Sequence, residues 1–172
     1  MEVSQAIKER RSIRSFKEKE VSKEDIKKLI EAAVWAPSGS NLYAWQIKAV
    51  RGNKKRNIER FSPGLMGKPP VLLVFCNDDE KSLESSKLAK EVLSVMDISV
   101  AAQNVCLKAT DMGLGTCYIG SFNKKAVKEI LDLPENIRPV LILSVGYPDK
   151  IPNAPSKNDV KETVEWIGWK DE

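Results

Sequence analysis

The sequence predicts one domain that mixes helices with strands, and three observations predict it. The run Val71-Leu72-Leu73-Val74-Phe75-Cys76 is apolar with no polar alternation, which marks a strand buried on both faces. Ile26, Leu29, Ile30, Ala33 and Val34 follow the i, i+3, i+4 rhythm of a helix, and so do Ile98, Ala101, Ala102, Val105, Cys106 and Ala109. The chain has 172 residues, 42% of them hydrophobic and 30% charged, enough for a single packed core without a disordered portion.

The elements follow in order. Residues 3–11 read as a helix with a narrow apolar stripe of Val3, Ala6 and Ile7. Ser15 to Val21 is a Lys/Glu-rich linker. Ser22 opens the second helix, with Asp25 three residues on as an approximate capping box, and Pro37 stops it. Ala36-Pro37-Ser38-Gly39-Ser40-Asn41 is a turn signal whose small residues would let a ligand approach the main chain. It serves equally as a plain connection.

Trp45 to Val50 reads as the first strand and Asn53 to Phe61 as a short basic helix. The Pro/Gly-rich stretch from Ser62 to Pro70 is expected to be an exposed loop, and Asn77 to Glu80 a turn before two helices. Gly113 suits a left-handed helix cap. Gly115 to Ile119 is the third strand, Asn123 to Leu131 a short helix, and Arg138 to Val145 the last strand. Residues 148–158, with Pro148, Pro152 and Pro155, form an extended arm, after which Val164, Trp166, Ile167 and Trp169 turn apolar again. Such a segment is expected to dock on something, and a partner subunit fits a chain of this length.

The chemistry is bounded by what the chain lacks. It has no histidine, which excludes Ser-His-Asp and Cys-His catalysis and histidine-ligated metal, so an enzyme here needs a cofactor or a metal on carboxylates. Cys76, Cys106 and Cys117 fit neither a zinc pattern nor a disulfide framework and read as buried thiols in a reducing cytoplasm. No signal peptide or membrane span is expected, since the longest apolar runs stay under about ten residues. The net charge of +4 is too mild to argue for nucleic acid.

Arg10-Arg11-Ser12-Ile13-Arg14 is the stretch with the most chemical content. Guanidinium forks match a phosphate or the edge of a deprotonated heterocycle, and the serine hydroxyl adds a donor. Taken alone, the run also fits a solvated basic face.

The order of the pieces adds to this. Arg10-Arg11-Ser12-Ile13-Arg14-Ser15-Phe16, then Ala36 to Asn41 with Trp45-Gln46 behind it, then Gln103-Asn104, then Gly113-Leu114-Gly115-Thr116-Cys117-Tyr118-Ile119-Gly120: this succession resembles the FMN-dependent nitroreductase family from residue 3 to about residue 168. The resemblance implies an α+β fold with a central mixed, mostly antiparallel sheet flanked by helices. It implies an intertwined homodimer with the segment 149–172 exchanged, FMN at the subunit interface, and the helix near 97–112 in the dimer core.

Carried over by residue, Arg10, Ser12 and Arg14 match positions that hold the FMN phosphate and the polar edge of the ring, and Arg11 contributes through its backbone or to the phosphate. Ser38, Gly39, Ser40 and Asn41 match a loop that reaches FMN, in part from the other subunit. Gly120 and Ser121 match a turn facing the ring, and Lys157 matches a cation pairing with the phosphate. NADH or NADPH would be the co-substrate and a nitroaromatic, quinone or similar small acceptor the oxidant, with no catalytic side chain.

A dehalogenase or specialised dehydrogenase on the same cradle, or a flavin-storage protein, are the alternatives. The chain departs from the family at Pro155, where many members carry a second basic residue. It departs also around Ser62 and Leu65, where an Asn and a cation are common and where Lys68 is the nearby substitute, and at Leu42-Tyr43-Ala44. The aromatic residues Tyr43, Trp45 and Tyr118 are candidates to line a pocket, whereas Trp35 reads as core.

Overall fold

In the computed structural model, which describes residues 1–169, four strands form one sheet in the order β1-β2-β4-β3. They are β1 (Trp45–Val50), β2 (Val71–Asp78), β3 (Gly115–Ile119) and β4 (Ile137–Gly146). All three neighbouring pairs are antiparallel. The mixed character expected of the sheet reduces to one isolated parallel bridge among the described residues, between Ser12 and Thr116.

The period of two along β2 and β4 sorts their side chains into two cores. Val71, Leu73, Phe75, Leu143 and Val145 face α2 (Lys23–Val34) and α5 (Ser94–Asp111). Leu72, Val74, Cys76 and Ile142 face the opposite way, toward Ile58 of α3 (Gly52–Arg60) and Val127 of α6 (Lys124–Ile130). Strands covered on both faces have no need of polar alternation, which is why the β2 run is continuously apolar.

Local signals hold at the helix ends. The Ser22 hydroxyl accepts from the Asp25 amide at 3.0 Å and caps α2. Gly113 takes φ +68° directly after α5, and the Leu114 amide returns to the Ala109 carbonyl at 2.8 Å. Asn123 caps α6 through the Ala126 amide at 3.0 Å. The helix α1 is shorter than expected, Val3–Glu9, so the arginine run lies beyond it.

Where a turn was expected over residues 77–80, β2 continues to Asp78, whose side chain caps α4 (Asp79–Ser85). A π-helical turn, Ala89–Leu93, then leads into α5. The small residues of α5 are fully buried against the sheet and α2 of the same protomer, where the Asn104 amide donates to the Ala32 carbonyl at 3.1 Å. They are therefore committed within the protomer, and the outward face of α5 carries Val95, Met96 and Val100. The run Lys90–Asp111 has the length and hydropathy of a membrane span, which short apolar runs did not suggest; its inner face is that of a core helix.

The stretch from Ser62 to Pro70 is irregular, as expected, but it is not simply exposed. Ser62 is buried and donates to the Ile58 carbonyl at 2.8 Å, and Pro69 is buried too. The Gly64 amide donates to the Ser121 carbonyl at 3.1 Å. Gly67, at φ +72°, passes so close to the arginine segment that a Cβ there would lie 2.6 Å from the Arg14 carbonyl oxygen. Trp35 overturns its expected core role: it is 87% exposed, because it caps α2 at the point where the chain leaves the layer. From Lys150 to Trp169 every residue is exposed, apart from contacts within the arm such as Trp166 edge-on to Trp169 at 5.3 Å, and α7 (Val160–Thr163) is a single turn.

Two expectations follow. Gly67→Ala meets both a left-handed backbone and a backbone clash, so it should cost about 2–4 kcal/mol, whereas Gly113→Ala, with nothing within 4 Å of its Cβ, should cost only about 1 kcal/mol. Urea unfolding of the two variants measures the difference. The second concerns the thiols. Burial pushes Cys76 up to about 12 and Cys106 to about 11, from 9.0. Above pH 9 the unfolded chain therefore loses these protons while the folded chain keeps them, so stability falls with rising pH from about 9 to about 11–12. The double variant Cys76→Ala, Cys106→Ala should show a shallower alkaline decline than the parent when both are melted across that window.

Candidate functional site

The arginine run owes its position to hydrogen bonds with the open edge of β3 and with the chain just after β4. The Ile13 amide donates to the Thr116 carbonyl at 2.9 Å, the Lys17 amide to Tyr147, and the Asp149 amide to Ser15. Ile13 is only 3% exposed and packs over Gly115, where a Cβ would sit 2.5 Å from its Cγ1. With Ile13 turned inward, the alternation of an extended segment carries Ser12 and Arg14 to the other side. The result is a cleft of about 700 Å³ lined by Lys8, Arg10, Arg11, Ser12 and Arg14 from the N-terminal segment and by Pro152 to Pro155 and Lys157 from the arm.

The charge of this cleft has one sign. No Asp or Glu lines it, and none of Lys8, Arg10, Arg11, Arg14 and Lys157 has a carboxylate within ion-pair distance among the described residues. A second cleft of about 750 Å³ shows the contrast: there Arg138 pairs with Asp79 at 3.1 Å and Lys128 with Glu135 at 3.3 Å. Unpaired cations converging on one space repel one another and favour a multivalent anion. Arg11 is partly committed already. Its Nη1 donates to the Lys8 carbonyl at 2.6 Å and the Arg10 carbonyl at 3.0 Å, satisfying acceptors left open at the end of α1. Arg10 lies close enough to Cys106 of α5 and Tyr118 of β3 for its charge to offset part of the upward push that burial gives both.

The other expected site residues lie elsewhere in the protomer. Ser38 to Asn41 form a tight loop against the start of α5, and none of them lines the basic cleft. The Gly39 amide donates to both oxygens of Asp97, at 3.1 and 3.2 Å, and the Ser38 hydroxyl accepts from the Tyr43 amide at 3.0 Å. Gly120 and Ser121 follow β3, both exposed, and Ser121 anchors the loop at Gly64. One protomer thus unites Arg10, Arg11, Ser12, Arg14 and Lys157, and keeps the two other groups apart from them.

The departures from the motif have structural readings. Pro155 lines the cleft as an apolar wall. Leu65 packs on the core between the sheet and α3/α6, and Lys68 is exposed and outside the cleft lining. Sequence reasoning missed Lys8, which its i, i+3 relation to Arg11 along the helix end could have suggested. It missed Asp97 as well, for which no local signal exists. Among the aromatic candidates, Tyr118 donates to the Ser99 carbonyl at 3.2 Å, and Trp45 has a buried Nε1 with no acceptor among the described residues.

Comparison with known proteins bears on the fold and the family. A sequence model of the nitroreductase family matches residues 7–63 and 54–147. A protein of Archaeoglobus fulgidus, provisionally named an NADH dehydrogenase/NAD(P)H nitroreductase, is 34% identical over 148 residues, covering 81% of each chain. An NADPH-dependent oxidoreductase of Staphylococcus aureus is 33% identical over 171 residues, covering 88% of this chain and 66% of its own. The crystal structure of nitroreductase A from Vibrio parahaemolyticus superposes with a TM-score of 0.86 at 27% identity, over 99% of this chain and 77% of that one. By fold, motif order and sequence match, this chain belongs to the nitroreductase family, a family of oxidoreductases.

Proposed function

We infer that the protein is an FMN-dependent NAD(P)H oxidoreductase that reduces nitroaromatic, quinone or similar small acceptors and works as a homodimer. The observation that carries this reading is the cleft of unpaired cations built from residues 8–14 and 157. A monophosphate ester, doubly charged near neutral pH, fits that donor set: planar guanidinium forks, a serine hydroxyl, an ammonium, and no carboxylate to repel it. Bound there, FMN would supply the hydride chemistry, taking a hydride from NAD(P)H and passing it to the acceptor.

The chain's own part is binding, orientation and electrostatics. Lys157 and Arg10 would hold the phosphate with Ser12, and Arg14, exposed at the rim, would lend positive potential to the polar edge of the ring. Such potential favours extra negative charge on a bound group in a water-poor site. With no histidine in the chain, no side-chain acid or base is assigned, and solvent supplies protons. One site serving donor and acceptor in turn gives ping-pong kinetics.

Pairing of two chains is supported by apolar surface that one protomer leaves open: Val95, Met96 and Val100 on α5, Trp35 after α2, and Ile151, Trp166, Ile167 and Trp169 on the arm. Ser38 to Asn41 and the Gly120–Ser121 turn, apart from the cleft within a protomer, would complete the site across that seam.

An absorbance spectrum tests the reading. The purified protein, reconstituted with FMN, should be yellow, bleach with NADH or NADPH, and recolour with a nitroaromatic or quinone. Bleaching by dithionite alone would instead favour storage, and failure to take up FMN overturns the proposal. Arg14→Ala and Arg10→Ala should each raise the FMN dissociation constant about 10- to 100-fold, as loss of a charge-assisted hydrogen bond does; titration by fluorescence quenching reads this out. Light scattering should give twice the 19.2 kDa chain mass.

A further inference from the structure

The geometry points to Asp97 as a positioning residue: its carboxylate clamps the loop after Pro37 in a strained shape that presents Ser40 and Asn41 outward as ligand donors. The inference rests on the reading above, in which this loop reaches the flavin, and it adds a residue that no motif marks.

Three observations carry it. The loop concentrates backbone strain. Ser40, Asn41 and Tyr43 have φ of 52°, 56° and 48°, and among the described residues Asp132 is the one other non-glycine residue with positive φ. Each such residue costs on the order of 1 kcal/mol or more, so the shape persists only where surrounding contacts over-determine it. Next, beside the loop's own backbone bonds (Asn41 amide to Ser38, Leu42 amide to Gly39), a Lys81 ammonium on the Tyr43 carbonyl and Leu93 beside Gly39, side-chain oxygens hold its backbone. The Gly39 amide donates to Asp97 Oδ1 and Oδ2 at 3.1 and 3.2 Å across 58 residues of sequence, and Ser38 Oγ closes the loop by accepting from Tyr43. An ionised carboxylate is the stronger kind of acceptor for an amide. Asp97 is half-buried and has no cation within ion-pair distance among the described residues, so its carboxylate is engaged by this loop.

Finally, two of the three strained residues are not packed. Ser40 and Asn41 are exposed, and their side chains have no protein hydrogen-bond partner among the described residues. Strain that serves packing would bury these side chains; here it turns short polar groups to the outside.

A favourable carboxylate in the first turn of α5 is the competing role for Asp97. It would affect folding and leave ligand binding untouched, so the test separates the two. FMN is titrated into the full-length protein and into Asp97→Leu and Asp97→Asn, with the visible circular dichroism of the bound flavin recorded alongside. Asp97→Leu should raise the dissociation constant about tenfold and alter the flavin band, because the donors are no longer pre-organised. Asp97→Asn, which keeps one oxygen for the Gly39 amide, should restore most of both.

A leucine variant with the parent's affinity and band overturns the proposal. So does a loss that asparagine does not reverse, since that would report damaged folding. If the leucine variant fails to fold, the asparagine variant decides: faster amide exchange at Gly39 with an affinity about two- to fivefold weaker supports the clamp, and no change in either overturns it. A parent protein that takes no FMN refutes the functional reading instead, and the Gly39 exchange comparison still tests the clamp itself.

Discussion

One hydrogen bond into the sheet, from the Ile13 amide to the Thr116 carbonyl at 2.9 Å, sets the position of the basic cleft. It seats the segment after α1 on the open edge of β3, which would otherwise leave unpaired backbone groups facing water. Because Ile13 is driven inward at that point, its neighbours Ser12 and Arg14 are driven outward. The packing of one apolar side chain thereby fixes where two polar ones act. Gly115 permits the close approach of Ile13 from below, and Gly67 lets the Ser62–Pro70 stretch cover the same segment from the other side.

The cleft shows how a fold can hold charge in reserve. Elsewhere lysines and arginines meet carboxylates, as Arg138 meets Asp79, and such pairs contribute little beyond local order. In the cleft, guanidinium and ammonium groups face each other with no counter-charge. This costs stability in the free protein and is offset when an anion binds. Arg11 shows the limit of counting charges: part of its donor capacity goes to carbonyls at the end of α1, so its presence in the lining overstates what it offers a ligand.

The same economy of contacts governs the apolar surface. The small residues of α5 are consumed by the sheet and α2, leaving larger ones, Val95, Met96 and Val100, on the outside. The arm from Lys150 onward contributes Pro152 to Pro155 and Lys157 to the cleft and carries its tryptophans into solvent. In the proposed homodimer, a partner surface would cover these residues.

Much of the fold was determined by the sequence itself, because its signals are local. An unbroken apolar run demands burial on both faces, so β2 had to be central. Ser22, Gly113 and Asn123 mark helix ends because each satisfies, within a few residues, backbone groups that the helix leaves open. The run Arg10-Arg11-Ser12-Ile13-Arg14 stood out because a cluster of cations is contiguous in the chain, and Arg10, Ser12 and Arg14 were singled out within it by resemblance to the family. Lys157 joined them only through resemblance to the family, since 143 residues separate it from Arg14.

Tertiary structure alone decided the rest. Trp35 looked like core by chemistry, but its exposure depends on where α2 ends relative to the layers. Ser62 looked like loop by composition, but it is buried because Ile58 and the Gly64–Ser121 contact draw the stretch inward. Asp97 carries no motif at all. Its role follows from a loop 58 residues away lying against the first turn of α5, a proximity that only packing of the whole chain creates.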